Sequence, residues 1–233
     1  MVKRTYRALL FFFLCGLLLP LCADTYSGSQ SDEAWIIRAP IWVFLEPQPG
    51  VMTEEEQKVK LPPRQAITEV SKMVMAGMTY GWRFSYTPYD KKRNVPEEFT
   101  LEPLHTIESN DERLHITELR PQYPYLYCWA EYRITDAMAQ RRKQWGTSRY
   151  AAATGYGTAA RKEETEGFFL AYERAAQSAV QNYLRKKEKN KPKKVVGELL
   201  IKDNPRLYAS HGEINTVLTV YIYIKEIVPY TIF

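Results

Sequence analysis

The sequence predicts an α+β fold in which two helices pack on antiparallel β-sheet. Apolar residues recur at helical spacing over 164–187 and again after Pro62 and Pro63. Between and after these segments, apolar and polar residues alternate as they do in half-buried strands. A helix followed by strands therefore occurs twice, an order typical of α+β proteins. This order leaves open whether the chain forms one sheet or two helix-plus-strands subdomains.

The first 23 residues predict a secretory signal peptide. Three basic residues precede an apolar run that ends at Cys22 and is short for a membrane span. Cleavage after the small residue Ala23 would release a periplasmic protein. The alternative is a lipid anchor on Cys22, but Leu21 stands where a small residue usually precedes a lipidated cysteine. We therefore favour cleavage.

Removal of the signal peptide changes the charge and the cysteine content. The whole chain of 233 residues has a net charge of +5, and loss of the three basic residues leaves +2. An exported protein so near neutrality is not expected to bind nucleic acid. Of the three cysteines, only Cys128 remains after cleavage. No internal disulfide is therefore expected, and the apolar core must supply the stability.

Three further segments follow the signal peptide. Residues 24–33 are polar and predict a flexible tether. Residues 34–135 predict an aromatic-rich α+β part, and residues 136–233 predict a second α+β part built on helix 164–187.

In the first part, prolines indicate how two elements begin or bend. Pro62 and Pro63 suit a helix start because the first helical amides have no partner inside the helix. Pro40 interrupts an apolar strand and favours an edge position or a bend. The predicted helix has an apolar stripe of Ile67, Val70, Val74 and Met78. The predicted strands are 34–45, 80–86, 99–101, 114–116 and 125–134.

In the second part, small residues indicate close contact between helix 164–187 and the sheet. The apolar stripe of this helix begins with Tyr172. Ala175, Ala176 and Ala179 lie in the middle of the stripe and would let a strand approach. Gly155 and Gly157 lack the third glycine and the lysine of a phosphate-binding loop, so they too indicate close packing. A short helix over 136–145 would be capped by Thr135 or Asp136. The predicted strands are 150–160, 195–201, 207–209 and 215–228.

The last third of the chain also carries a family resemblance. Its parts are the run Ala153-Thr-Gly-Tyr-Gly-Thr-Ala159, a helix with Ala171, Ala175 and Ala179, and the run Val195-Val-Gly-Glu. This pattern resembles the secreted domain of bacterial flagellar-assembly T-type proteins and related envelope lipoproteins. The whole chain is similar to uncharacterised secreted proteins of spirochaetes. The resemblance implies an envelope- or flagellum-associated role without catalysis.

The residue types that usually carry catalysis are not grouped in the sequence. His105, His115 and His211 are far apart and lack the spacing of zinc-binding helices. Cys128 alternates in phase with Leu126 and Ala130, which indicates a small core residue rather than a nucleophile. We therefore predict no catalytic residue, no metal site, no cofactor and no enzymatic activity.

Seven of the ten residues from Arg185 to Lys194 are basic. Cations at a helix C-terminus are favoured by the helix dipole, so a solvated helix end would explain part of this run. Its functional interpretation is contact with an anionic partner, such as acidic lipid, acidic polysaccharide or an acidic protein. The residues of this basic run are Arg185, Lys186, Lys187, Lys189, Lys191, Lys193 and Lys194.

Two strands present aromatic residues at every second position. One carries Tyr80, Trp82, Phe84 and Tyr86. The other carries Tyr125, Tyr127 and Trp129, which we call the aromatic face. At least one set must belong to the core, and the other could form a stacking platform for a sugar chain or a protein. The aromatic face is the candidate for that platform.

These observations predict a periplasmic, non-enzymatic interaction or structural protein of the bacterial cell envelope, in line with the flagellar resemblance. Its expected partner is an envelope protein or an anionic envelope surface. The alternative is an accessory protein that binds carbohydrate such as peptidoglycan. No transmembrane span is expected after signal cleavage.

Overall fold

The computed structural model describes residues 35–46, 61–188 and 190–230. The predicted signal peptide and tether lie outside these residues. The described strands are Trp35–Phe44 (β1), Trp82–Thr87 (β2), Glu98–Pro103 (β3), Leu114–Gln122 (β4), Tyr125–Ile134 (β5), Ala151–Ala160 (β6), Lys194–Ile201 (β7), Arg206–Ser210 (β8) and Glu213–Val228 (β9). The described α-helices are Pro63–Thr79 (α1), Asp136–Trp145 (α2) and Glu164–Lys187 (α3).

The described part of the chain contains three α-helices, so the predicted count of two was too low. The additional helix is α2, which the sequence indicated as a short segment over the same residues. Thr135 is its N-cap: the Thr135 hydroxyl accepts a hydrogen bond of 3.4 Å from the Met138 amide. The α+β class and the antiparallel pairing of the strands are confirmed.

The described strands form two antiparallel sheets. A three-stranded sheet has the order β1-β5-β4, and a six-stranded sheet has the order β3-β2-β7-β9-β6, with β8 also paired to β9. In the larger sheet β2 pairs with β7, which places Trp82 opposite Leu199. Strands from both predicted parts thus share one sheet. The division predicted at residue 136 is therefore not a boundary between the sheets.

Helix α1 packs against both sheets. It contacts β1, β4 and β5 of the smaller sheet and β3 and β7 of the larger one. Its predicted stripe is confirmed, because Ile67, Val70, Val74 and Met78 are all buried. Buried side chains extend beyond this stripe to Ala66, Ser71 and Met75. A helix covered on two sides needs this wider apolar surface.

Helix α3 packs along β6 through the small residues that the sequence singled out. Ala175, Ala176 and Ala179 have no exposed surface. Polar side chains of the same helix reach the edge of β6: Arg174 donates to the Thr158 carbonyl at 2.6 Å and Asn182 to the Thr154 carbonyl at 3.0 Å. These bonds occupy edge carbonyls that could otherwise pair with another chain.

Two other predictions from the first part are confirmed. β1, which contains Pro40, is an edge strand of the smaller sheet. Trp82, Phe84 and Tyr86 are buried on one face of β2 and form core. Tyr80 does not belong to that strand, because it caps the C-terminus of α1.

Candidate functional site

The basic run begins in the last turn of α3 and ends at the first residue of β7. Lys189 lies outside the described residues. The other six cations are exposed, and none forms an ion pair within the described part of the chain. These six are Arg185, Lys186, Lys187, Lys191, Lys193 and Lys194. The C-terminal dipole of α3 favours positive charge there, but it acts only over the last turn.

The backbone fixes the second half of this run against the larger sheet. Pro192 is buried, and the Lys193 amide donates to the Val228 carbonyl at 2.8 Å. The Lys191 ammonium donates to the Tyr89 carbonyl at 2.5 Å. Lys191 therefore has a structural contact, whereas Lys193 and its neighbour Lys194 direct their charges to solvent.

An open groove of about 450 Å³ borders the basic run. Glu97 Oε1 accepts hydrogen bonds from the Tyr86 hydroxyl at 2.7 Å and from Gln181 Nε2 at 2.8 Å. Burial and the bond to Glu97 raise the pKa of Tyr86, so its phenol remains a neutral donor. Tyr89 at the rim is 53% exposed. The groove combines a hydrogen-bonded polar wall with an exposed aromatic ring and the cation of Arg185.

The aromatic face is half-buried at all three residues. Tyr125 packs edge-on against Trp42, with ring centroids 4.8 Å apart. The guanidinium of Arg38 covers Trp129 at 4.2 Å from the ring centroid. Arg38 is itself held by the carboxylate of Glu131 at 2.9 Å. Protein groups thus already occupy part of the predicted stacking surface.

Tyr127 and Trp129 still border a shallow groove on the outer side of the smaller sheet. Pro40, Glu118 and Arg120 complete its rim. The β4–β5 register shifts between Thr117 and Arg120, which moves the edge of β4 away from regular pairing.

The structure does not bring the three histidines together. His105 packs against Tyr80, and His211 lies in the β8–β9 turn next to the Ser210 hydroxyl at 2.6 Å. Within the described ranges, no three metal-ligating side chains group together. Cys128 is confirmed as a buried core residue, and burial raises the pKa of its thiol to about 11. At neutral pH this cysteine is a thiol rather than a nucleophilic thiolate.

A polar network that the sequence did not indicate fixes the loop before β4. Tyr132 donates a hydrogen bond of 2.9 Å to Asp111 Oδ2, and its own oxygen lies 2.9 Å from the Tyr80 hydroxyl. Arg113 forms two side-chain bonds to the Asp111 carboxylate, at 2.8 and 3.0 Å. These bonds lower the pKa of Asp111 to about 2, and the side-chain bonds from Arg113 have the largest effect. The polar groups of this network are hydrogen-bonded to one another. We therefore interpret the network as a structural contact that positions the loop.

The sequence analysis also missed a cleft between α1, α3 and β3, with a volume of about 310 Å³. Its wall includes Met73, Trp82, Leu101 and Phe169. Tyr172 also lines it and belongs to the predicted apolar stripe of α3. The one available signal was a tyrosine one turn before the alanines of that stripe.

Comparison with known proteins gives the chain a family. Residues 25–230 match one protein-family model. The chain is 40% identical over 211 residues to an uncharacterized protein of Treponema pallidum (strain Nichols), with 91% of this chain and 89% of that protein covered. The chain belongs to this family. No solved structure matches it.

The family match spans every described helix and strand. It supplies no activity, because the Treponema protein is described only as uncharacterized. The resemblance to flagellar-assembly T-type proteins stays a prediction. Among the described helices, none has the length and apolar character needed to cross a membrane.

Proposed function

We propose that this chain is an exported, non-enzymatic interaction protein of the bacterial cell envelope, and that it contacts an anionic envelope surface or an acidic envelope protein through the basic run. One observation carries the proposal. Six described cations of the run are exposed together and have no carboxylate partner among the described residues. Like charges within about 10 Å repel one another, so this grouping costs stability unless a partner compensates it.

The groove beside the run supports a partner with polar groups as well as charge. Glu97, Tyr86 and Gln181 form its hydrogen-bonded wall, and Tyr89 offers an exposed ring. A flagellum-associated partner agrees with the family resemblance of the last third of the chain. Export rests on the predicted signal peptide.

Charge replacement tests the proposal. The variant carries Lys186→Gln, Lys187→Gln, Lys193→Gln and Lys194→Gln and leaves Lys191 with its contact to Tyr89. Each cation close to acidic lipid contributes about 1 kcal/mol, so co-sedimentation with acidic vesicles or isolated envelopes should fall at least tenfold. Binding of the unaltered protein should also weaken as salt rises. The melting temperature should stay within about 2 °C of the unaltered protein, because exposed substitutions rarely affect stability.

A matched control removes the same charge elsewhere. It replaces four exposed cations that form no ion pair with another described residue by glutamine, namely Arg64, Arg83, Arg141 and Lys162. This control should bind nearly as the unaltered protein does. Equal loss in both variants would mean that net charge matters and the basic run does not. If both variants still co-sediment with vesicles or envelopes at high salt, the proposal is wrong.

A second candidate function is carbohydrate binding at the aromatic face. The groove lined by Tyr127, Trp129 and Pro40 is the observation that favours it, because aromatic rings stack on sugars. Tyr127→Ala should then reduce retention on isolated peptidoglycan, whereas the four glutamine replacements in the basic run should not. If Tyr127→Ala leaves retention on peptidoglycan unchanged, this candidate function is wrong.

A further inference from the structure

The cleft between α1, α3 and β3 has the properties of a small-molecule site. Its volume of about 310 Å³ lies at the lower end of the roughly 300–1,000 Å³ range of ligand pockets. The apolar wall consists of Met73, Ala76, Trp82, Leu101, Ile107 and Phe169. At roughly 30 Å³ for a water-sized group, the cleft has room for a chain of about ten methylenes.

Tyr172 supplies a phenol to the lining of this cleft. The residue is 1% exposed and lines the cleft. Its hydroxyl has no hydrogen-bond partner among the described residues and is not one of their fully buried unpaired polar atoms. A hydroxyl that keeps accessible surface in the cleft can bond to water there, or to a ligand that replaces the water. Burial also raises the pKa of Tyr172. The phenol therefore keeps its proton and can donate a hydrogen bond to an acceptor.

The mouth of the cleft indicates which head group an occupant would carry. The Lys72 ammonium donates to both oxygens of Glu69, at 3.0 and 2.9 Å, and to the Ser109 hydroxyl at 3.1 Å. All three of its donors are therefore in use. Glu173, also at the mouth, forms no ion pair in the described residues. An anionic head group would meet an uncompensated carboxylate and no free cation.

We propose that the cleft binds an acyl chain with a neutral head group, and that the carbonyl oxygen of this ligand accepts a hydrogen bond from Tyr172. The acyl chain fills the apolar wall, and an amide or ester linkage supplies the acceptor. The site is separate from the basic run and does not depend on the function proposed for it.

The probe is N-decanoyl-N-methylglucamine, titrated below its micelle concentration into the protein and followed by calorimetry. Tyr172→Phe should weaken its binding about tenfold, because it removes the hydroxyl donor and leaves the shape unchanged. The same variant without ligand should melt at the same temperature as the unaltered protein or higher. Sodium decanoate, the carboxylate of the same chain length, should bind at least fivefold more weakly than the amide.

Two tryptophan variants test the location. Thr106 is exposed and borders the cleft, so Thr106→Trp should obstruct the mouth and abolish binding without lowering the melting temperature. Thr100 is exposed on β3 next to Leu101 and does not line the cleft, so Thr100→Trp should bind as the unaltered protein does.

Three results would overturn the proposal. One is equal binding by the Thr106→Trp and Thr100→Trp variants, which would locate the ligand elsewhere. Another is a lower melting temperature for Tyr172→Phe with unchanged affinity, which would make the hydroxyl structural. The third is no binding of the amide until residues 47–60 are deleted, which would make that segment of the chain the occupant.

Discussion

Gly155 lies so close to Ala175 that a Cβ built on the glycine would stand 2.1 Å from the Ala175 carbonyl oxygen. The obstacle is helix backbone, which cannot turn aside as a side chain can. α3 can therefore rest on β6 only while position 155 has no side chain. Gly157 has the same relationship with the Ala171 carbonyl, at 2.0 Å.

Gly155→Ala should destabilise the protein by at least about 2 kcal/mol, because the added methyl must push helix and strand apart. Urea denaturation followed by circular dichroism measures the change. Tyr156→Thr is the control, since Tyr156 lies on the opposite face of β6 and is 65% exposed. That change should cost under about 0.5 kcal/mol. Equal losses would contradict the close contact.

Ala179→Leu tests the same contact from the helix side. It should destabilise by roughly 1–3 kcal/mol, because three more heavy atoms have no room there. Gln177→Leu on the partly exposed side of α3 should have little effect on the melting temperature. If the two variants melt alike, the packing face of α3 would have to be reassigned.

The Asp111 network predicts a loss of stability in acid. The pKa of Asp111 is lowered to about 2, so the folded state binds this proton less readily than the unfolded chain does. Its contribution is therefore present above the ordinary aspartate pKa and is lost as the pH falls from about 4 to 2. The loss should be at most about 2 kcal/mol.

Urea midpoints measured between pH 5 and pH 2 test this dependence, with Asp111→Asn as the comparison. The Asn variant should be less stable at pH 6 and should lose less stability over the acid range. Parallel curves for the two proteins would show that Asp111 has no such linkage.

Replacement of Arg142 should strongly reduce stability, although the sequence indicated only a short helix for α2. Its guanidinium donates to the carbonyls of Met78, of Ile201 at 3.2 Å and of Lys202 at 2.8 Å. It thereby ties the end of α1 to the end of β7. Arg142→Met should destabilise by about 2–3 kcal/mol, because it leaves these carbonyls unpaired. Arg141→Met, at an exposed neighbour, should change the thermal midpoint by no more than 2 °C.

Export predicts the mass of the native protein. Residues 1–23 should be absent, because a basic start, a short apolar run and Ala23 together form a signal peptide. Intact-mass spectrometry of protein from its own cells tests this. A mass that includes Met1 would contradict export by cleavage, and a diacylglycerol adduct on Cys22 would establish a lipoprotein instead.

The sequence determined the elements whose evidence is local. Residue spacing identified α1 and α3, alternation identified β5 and the buried Cys128, and Pro40 indicated an edge strand. These features depend on which side of a helix or strand is apolar. The spacing of a few neighbouring residues is enough to show that side. The small residues of β6 and α3 likewise predicted close contact without showing its geometry.

The tertiary structure decided which surfaces cover one another. Trp82 pairs with Leu199, about half the chain length away, so local patterns could not test the division at residue 136. Periodicity also predicted that Tyr172 is buried, but it could not show that this residue lines an open cleft. An apolar stripe predicts that a side chain is buried. The residue against which it packs depends on contacts between residues distant in sequence.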